Sequence, residues 1–418
     1  MADQGLTVAV AGGGAAGFFG AITAAATYPH SQVTLYEAGP QPLAKVRISG
    51  GGRCNVTHHC FDPGQLVLNY PRGGKALRGA FSRFQPKDTI AWFEQRGVKL
   101  KTEADGRMFP VTDDSATIVD CLSGAARQAG VQIKMRSPVA SVERIDAGAK
   151  TGFRLQLRGQ GGYVRCDRLL LATGSSPVGH RIARSLGHTI ESPVPSLFTF
   201  NVADKRLHEL SGVAVNPATV QLKAKGIKPL TQTGPLLITH WGLSGPAVLK
   251  LSAWGARHLH GQVYQATVTV NWLPLLNQDR VRADLLQAKA KTGKRAVATY
   301  SPYASLSKRL WQYLLSRIDI DPDLTWANLS KKQLNRLVQE LTQGSYRVSG
   351  KGIFKDEFVT CGGVQLKAVN FRTMESRRCP GLYLAGEILD IDGVTGGFNF
   401  QSAWTTGWLA GQSIGSEE

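Results

Sequence analysis

The 418-residue sequence predicts an α/β fold in which a parallel sheet carries a nucleotide cradle, and three stretches of chain predict it. The first is Thr7-Val8-Ala9-Val10-Ala11, an apolar strand that runs into Gly12-x-Gly14-x-x-Gly17, an alanine-rich helix and a second strand, Val33-Thr34-Leu35-Tyr36, ending in Glu37. The second is Leu169-Leu170-Leu171, apolar throughout as a central parallel strand should be, ending in Ala172-Thr173-Gly174. The third is Gly381-Leu382-Tyr383-Leu384-Ala385-Gly386-Glu387, followed by the glycine-rich Asp392 to Gln401 and a helix expected from about Ser402. Together they predict a Rossmann-like domain built from both ends of the chain.

Each residue type in the first stretch has a physical task. Gly12 permits the tight turn, Gly14 admits a pyrophosphate to the backbone, and Gly17 lets helix and strand pack closely. Ala15 and Ala16 begin the helix, whose unpaired N–H groups and positive dipole end face the phosphates. Glu37 follows Gly17 by twenty residues, the distance at which a carboxylate accepts from an adenosine ribose.

Lys45 to Thr57 (KVRISGGGRCNVT) reads as a loop that approaches a ligand closely, because Ser49, Arg53, Asn55 and Thr57 are interleaved with Gly50, Gly51 and Gly52. A flexible glycine hinge is the alternative. Residues 86–97 and 116–130 read as helices, with a strand at 131–135 between them and the next region. Short alternating strands at 139–142, 153–157 and 163–166 predict a small antiparallel sheet over about 136–166.

Residues 196–355 have another texture and are expected to form an inserted domain, between cofactor-binding parts at 1–195 and 356–418. Strands are expected at 197–202, 219–223, 236–240 and 263–272, a helix from Ala247, and helical regions over about 280–343, where Leu306, Leu310 and Leu314 repeat at i, i+4. The C-terminal stretch repeats the strand, glycine loop and helix of the first motif. A dinucleotide held by both chain ends suggests FAD; Glu387 or a neighbouring acid suits its ribityl chain, and Gly396, Gly397 and Asn399 the helix end that meets the flavin.

The bulk numbers narrow the classes. Six scattered cysteines without a CxxC pair disfavour zinc, iron–sulfur and CxxC redox sites, so no metal is expected. No apolar run approaches the ~20 residues that span a bilayer, and the start lacks a basic leader, so a cytoplasmic protein without a membrane partner is expected. The net charge of +19 suits a phosphate polymer as partner, the alternative being a solubility surface. Between Arg280 and Arg336 twelve basic residues stand against four acidic ones, a candidate RNA-facing surface or a solvated face.

Lys45 to Thr57, His240 to Pro246 (HWGLSGP), Thr360 to Gly363, Thr373-Met374-Glu375 and Gly381 to Trp404 together resemble the BaiN/YhiN-type family of FAD-dependent oxidoreductases over essentially the whole chain. The resemblance implies a flavoprotein of the two-dinucleotide-binding-domain type with inserted barrel-like and helical regions. It also implies FAD held by Gly12 to Gly17, Glu37, Ser49 to Val56, Ala172 to Gly174 and Gly386 to Gln401, the last including Phe398; Lys45, Val139 and Asp392 complete the candidate set. Ser175 departs from a glycine common in the family, and 176–184 is shorter than usual. Family activities named as ribosomal RNA dihydrouridine synthase (23S rRNA), enone or bile-acid reductase and aminoacetone oxidase make an NAD(P)H-dependent reduction of an activated C=C in RNA the leading expectation. A small-molecule flavoenzyme is the alternative, and a flavin-bearing RNA-binding protein without turnover a third. NAD(P)H is expected as a transient reductant, since no second GxGxxG is present. Cys54 is the candidate acid, with Arg53 and Asn55 polarising a substrate carbonyl, and His240 reads as catalytic or as a satisfied structural histidine.

Overall fold

The computed structural model describes residues 5–147, 150–159, 161–223, 228–352 and 359–416. The chain divides into two compact units, one of residues 1–193 with 360–418, the other 194–359. The expected return to the cofactor-binding part at residue 356 lies outside the described residues.

In the first unit, the βαβ signal forms as read: β1 (Thr7–Ala11), α1 (Ala15–Thr27) and β2 (Gln32–Tyr36). A five-stranded sheet is ordered Leu382–Leu384, Arg168–Leu171, β1, β2, Gln132–Lys134, and all four pairings are parallel. β1 thus lies at the centre, with the other two glycine-terminated strands stacked to one side in register, Ala11 opposite Leu171 and Leu171 opposite Leu384. Their C-terminal ends therefore open at one edge, where ligands of doubly wound sheets bind.

The C-terminal helix Phe398–Ser413 packs on α1. A Cβ on Gly407 would stand 2.5 Å from Ala16 O, and one on Gly411 2.6 Å from Gly20 O, so these glycines set the approach. Because 407 meets 16 and 411 meets 20, the two helices run the same way and present their N-termini to the same side. This helix begins four residues before the expected Ser402. Gly397, at φ 90°, is its N-cap, and Phe398 is tied into the first turn by Tyr70 Oη, which donates to its carbonyl at 2.7 Å. The small antiparallel sheet is present as Val139–Ala147, Lys150–Leu157 and Tyr163–Cys166.

The stretch expected as a loop from Lys45 is part helix. Residues Ala44–Gly52 carry helical hydrogen bonding, with the backbone leaving it at Ser49, Gly50 and Gly51. Gly50 and Gly51 take φ of 59° and 70°, which glycine reaches without the Cβ penalty. The buried Val46 anchors the helical part, a signal the three glycines overshadow in the sequence.

The second unit is a closed six-stranded barrel ordered Phe200–Val202, Gly242–Ser244, Leu230–Thr239, Ala214–Lys223, Ala266–Asn271, Gly344–Lys351. Alternation along Ala214–Lys223 buries Ala218, Val220 and Leu222. Helix Pro246–Gly261 packs against the barrel wall, and helices Gln278–Lys291, Lys308–Arg317 and Lys331–Gln343 continue the same core around Trp272, Trp311 and Trp326. The strand Gly344–Lys351 has no counterpart in the sequence reading: it follows helix Lys331–Gln343 without a turn signal, with Tyr346 and Val348 pointing inward. The described helices include none long and apolar enough to cross a membrane.

Candidate functional site

The glycine turn after β1 is built tightly enough to decide what each glycine does. A Cβ on Gly17 would lie 1.9 Å from Gly12 O, and one on Gly12 2.4 Å from Ala172 O. Gly14 is different: no protein atom lies within 4 Å of where its Cβ would be. Gly14 is also the N-cap of α1 with no side chain capping it, and the space in front of it is open. An uncapped helix end with an open approach has the geometry that suits an anion.

The other candidates fall into three places. Around the turn, Glu37 Oε2 accepts from Gly13 N at 2.7 Å and Oε1 from Gly39 N at 2.6 Å, which fixes the carboxylate beside the cradle. Ser137 N donates to Glu37 O at 2.8 Å, and Val139, two residues on, is buried at the start of the small sheet. Lys45 Nζ pairs with Glu387 Oε2 at 2.5 Å. That oxygen lies 3.7 Å from the Cβ position of Gly174, and Gly386 lies against Ala16. Thus Gly12 to Gly17, Glu37, Lys45, Ala172 to Gly174 and Gly386 to Glu387 converge at one sheet edge.

A second group joins the Ser49–Val56 stretch to the C-terminal helix. The Asn55 amide donates to Thr57 O at 3.1 Å and accepts from Gly397 N at 3.0 Å. Asn399 clips Gly393 from both sides, accepting from its N at 2.8 Å and donating to its O at 2.9 Å. Gln401, fully buried, accepts from Thr57 Oγ1 at 2.6 Å and Thr89 Oγ1 at 2.9 Å. These side chains are turned toward their own chain, and no side chain of the N-cap closes the helix's first turn. Gly396 lies beside His58, whose ring stacks on Phe398 at 4.6 Å.

Asp392 stands in a third place. It is fully buried and ion-paired with Arg72, whose Nε donates to Asp392 Oδ1 at 2.5 Å, on the bridge joining Arg72 to Asp392.

The three candidate catalytic residues have distinct surroundings. Cys54 is fully buried at φ 61°, and burial pushes its thiol up to about 12, partly offset by a hydrogen bond with Ser49. Arg53 pairs with Glu103 at 2.7 Å and Asp113 at 3.5 Å, and lies 4.0 Å over the Phe109 ring. Asn55 spends both ends of its amide on backbone. His240 is exposed at a barrel turn in the second unit. Thr406 went unread in the sequence; its hydroxyl accepts from Gly386 N at 2.9 Å and holds the turn before Glu387. Its only sequence signal is its place two turns along the last helix.

FAD fits what is present. Beyond the uncapped α1 and open Gly14, Thr173 Oγ1 is buried with no hydrogen-bond partner, and Gly51 and Gly52 have open space where a Cβ would be. An orphaned hydroxyl and open glycines in these segments suit an elongated, polar, phosphate-bearing molecule.

The fold and this edge define a Rossmann-type FAD-binding oxidoreductase. The family model described as HI0933-like protein Rossmann domain matches residues 6–413, and the chain belongs to that family. The chain is 32% identical over 415 residues to a ribosomal RNA dihydrouridine synthase of Escherichia coli (strain K12), covering 97% of each chain. It is 29% identical over 419 residues to a 3-dehydro-bile acid delta(4,6)-reductase of Clostridium scindens, covering 97% of this chain and 98% of that one. In fold it is similar to a 3-ketosteroid-delta4-(5alpha)-dehydrogenase from Rhodococcus jostii RHA1, with TM-score 0.53, 16% identity and coverage of 100% and 98%.

Proposed function

We propose that the protein reduces the C5=C6 bond of uridine in ribosomal RNA, most specifically 23S rRNA, with FAD as resident cofactor and NAD(P)H as transient reductant. The observation that carries the reading is the uncapped, open helix end at Gly14, set within a chain whose relative in Escherichia coli bears the name ribosomal RNA dihydrouridine synthase.

In this reading Gly14 and the N–H groups of Ala15, Ala16 and Gly17 hold the pyrophosphate, and Glu37 the adenosine ribose. Ala172 to Gly174, Glu387 and Lys45 hold the middle of the cofactor, the Thr173 hydroxyl gaining the partner it lacks. Ser49 to Val56 and the first turn of helix Phe398–Ser413 hold the flavin end. Bound FAD supplies two-electron hydride chemistry. In balance, uridine gains a hydride at C6, the carbon conjugated to the C4 carbonyl, and a proton at C5, while NAD(P)H becomes NAD(P)+. The chain's own share is orientation and the proton. Cys54, held protonated by its burial, is assigned the proton. Arg53 is assigned the C4 oxygen, and Asn55 is a positioning residue that fixes the Gly397 turn.

The test is anaerobic. The FAD-loaded protein, reduced by one equivalent of NADPH, is mixed with unmodified ribosomal RNA while flavin absorbance and dihydrouridine are followed. Reoxidation matched by dihydrouridine supports the reading. Flavin that stays reduced until an enone is added refutes it and favours a small-molecule reductase, the reading that the name of the Clostridium scindens relative supports.

A further inference from the structure

The excess charge is unevenly shared. Residues 194–359 hold 22 Lys and Arg against 10 Asp and Glu, a net +12 of the chain's +19, in well under half its length. Within that unit the segment after helix Gln278–Lys291 is stitched to the one before helix Lys331–Gln343. Lys289 Nζ donates to Leu329 O at 2.5 Å, Ala327 N to Gly293 O at 2.9 Å, and Trp326 N to Arg295 O at 2.9 Å. This brings Lys291, Lys294 and Arg295 beside Lys331 and Lys332, all five exposed.

Elsewhere in the unit several arginines are paired with carboxylates, as Arg280 with Asp284, Arg317 with Glu340 and Arg336 with Asp319. Lys291, Lys294, Lys331 and Lys332 have no carboxylate partner among the described residues. Acids do stand close by at Asp319, Asp321 and Asp323, but Asp319 is taken by Arg336, and Asp321 accepts from Asp323 N at 2.8 Å. Lys331 and Lys332 also occupy the first two positions of their helix, against its dipole, although the end is otherwise well made by the Ser330–Gln333 capping box. Cations placed where the fold disfavours them mark a surface shaped by something other than stability.

Resting on the reading above, we propose that this surface holds the phosphate backbone of the RNA substrate. Flexible lysines spread over two chain segments suit a polymer of phosphates, which is bound by neutralisation along its length. A single small anion would instead need a buried, converging site.

The experiment measures binding of protein-free ribosomal RNA to the FAD-loaded full chain across salt concentrations. It compares wild type, the quadruple variant K291Q/K294Q/K331Q/K332Q, the matching four-fold Lys→Arg variant, and R158Q/R165Q in the first unit as a control. Removing four phosphate contacts lowers affinity about ten- to a hundredfold near 0.1 M salt and makes the slope of log K against log salt shallower by about 3. The arginine variant and the control bind as wild type does, and NADPH reduces the flavin equally in all four. Wild-type affinity and slope in the glutamine variant, or an equal loss in the control, overturns the proposal while the RNA reading stands. Wild type that neither binds RNA nor forms dihydrouridine sinks both, and vesicles of acidic phospholipid bound through the same four lysines in its place would reassign the surface.

Discussion

Replacing Gly14 and Gly17 with alanine, one at a time, separates packing from binding within a single motif. At Gly17 the new methyl meets Gly12 O at 1.9 Å, and that carbonyl belongs to a turn held by Gly12 N donating to Tyr36 O at 2.9 Å. The carbonyl cannot yield cheaply, so α1 must move off the sheet by more than an ångström, on the order of 1–3 kcal/mol of overpacking or more. For a unit of this size that lowers the melting temperature of the cofactor-free protein by roughly 2–12 °C. At Gly14 nothing lies within 4 Å and φ is −89°, so alanine fits without strain. The poorer N-cap and the stiffer unfolded chain offset each other to within about 1 kcal/mol, leaving the cofactor-free melting temperature nearly unchanged. The methyl then occupies the approach to the helix end, and FAD affinity falls by about a hundredfold or more, near 2.8 kcal/mol. Calorimetry of stripped protein and titration with FAD read the two quantities separately. A Gly14→Ala protein that keeps full FAD affinity, or a Gly17→Ala protein that melts like wild type, would refute the assignment.

Three further outcomes follow from other parts of the molecule. Asp392→Asn leaves Arg72 without its buried carboxylate and costs about 3–5 kcal/mol in urea unfolding, because the side-chain exposures of the pair are only 12% and 0%. Burial lowers His180 and His188 below the ordinary 6.5, Arg184 adding to the effect at the first. The unfolded chain therefore takes up protons that the folded one refuses, so stability is full above about pH 6.5 and is lost as pH falls through the folded values. Acid titration of the melting temperature should flatten in H180Q/H188N, and an unchanged slope would assign the loss elsewhere. Cys54→Ala keeps FAD but loses turnover, and the wild-type thiol, held up at about 12, resists maleimide at pH 8 until the protein unfolds. Rapid labelling of Cys54 in the native state would contradict its burial.

The first motif was legible because local chemistry dictates it. The run of apolar strand, spaced glycines, helix and acid specifies the turn at Gly12, the close packing at Gly17 and the place of Glu37 without help from the rest of the chain. The parallel strands at Leu169 and Leu382 were legible for a related reason, since residues buried on both faces read as unbroken apolar runs. The helical start of Lys45 to Thr57 was hidden because its one anchor, Val46, meets its partners only in the folded chain. The strand Gly344–Lys351 was hidden because barrel closure, a contact with strands far away in sequence, gives its short alternating pattern a meaning.

The candidate site divides along the same line. Sequence by itself determined which glycine turns and strand ends come together at the candidate edge, because glycine spacing and strand ends are local properties of the chain. Only the tertiary structure decided what the side chains there do. Asn55, Asn399 and Gln401 are polar residues in the expected segments, yet their amides are bound to Gly397, Gly393, Thr57 and Thr89. Asp392 is tied to Arg72, 320 residues away along the chain. A polar side chain satisfies whichever partner folding brings within 3 Å, and that partner is set by packing across the whole unit rather than by its neighbours in sequence.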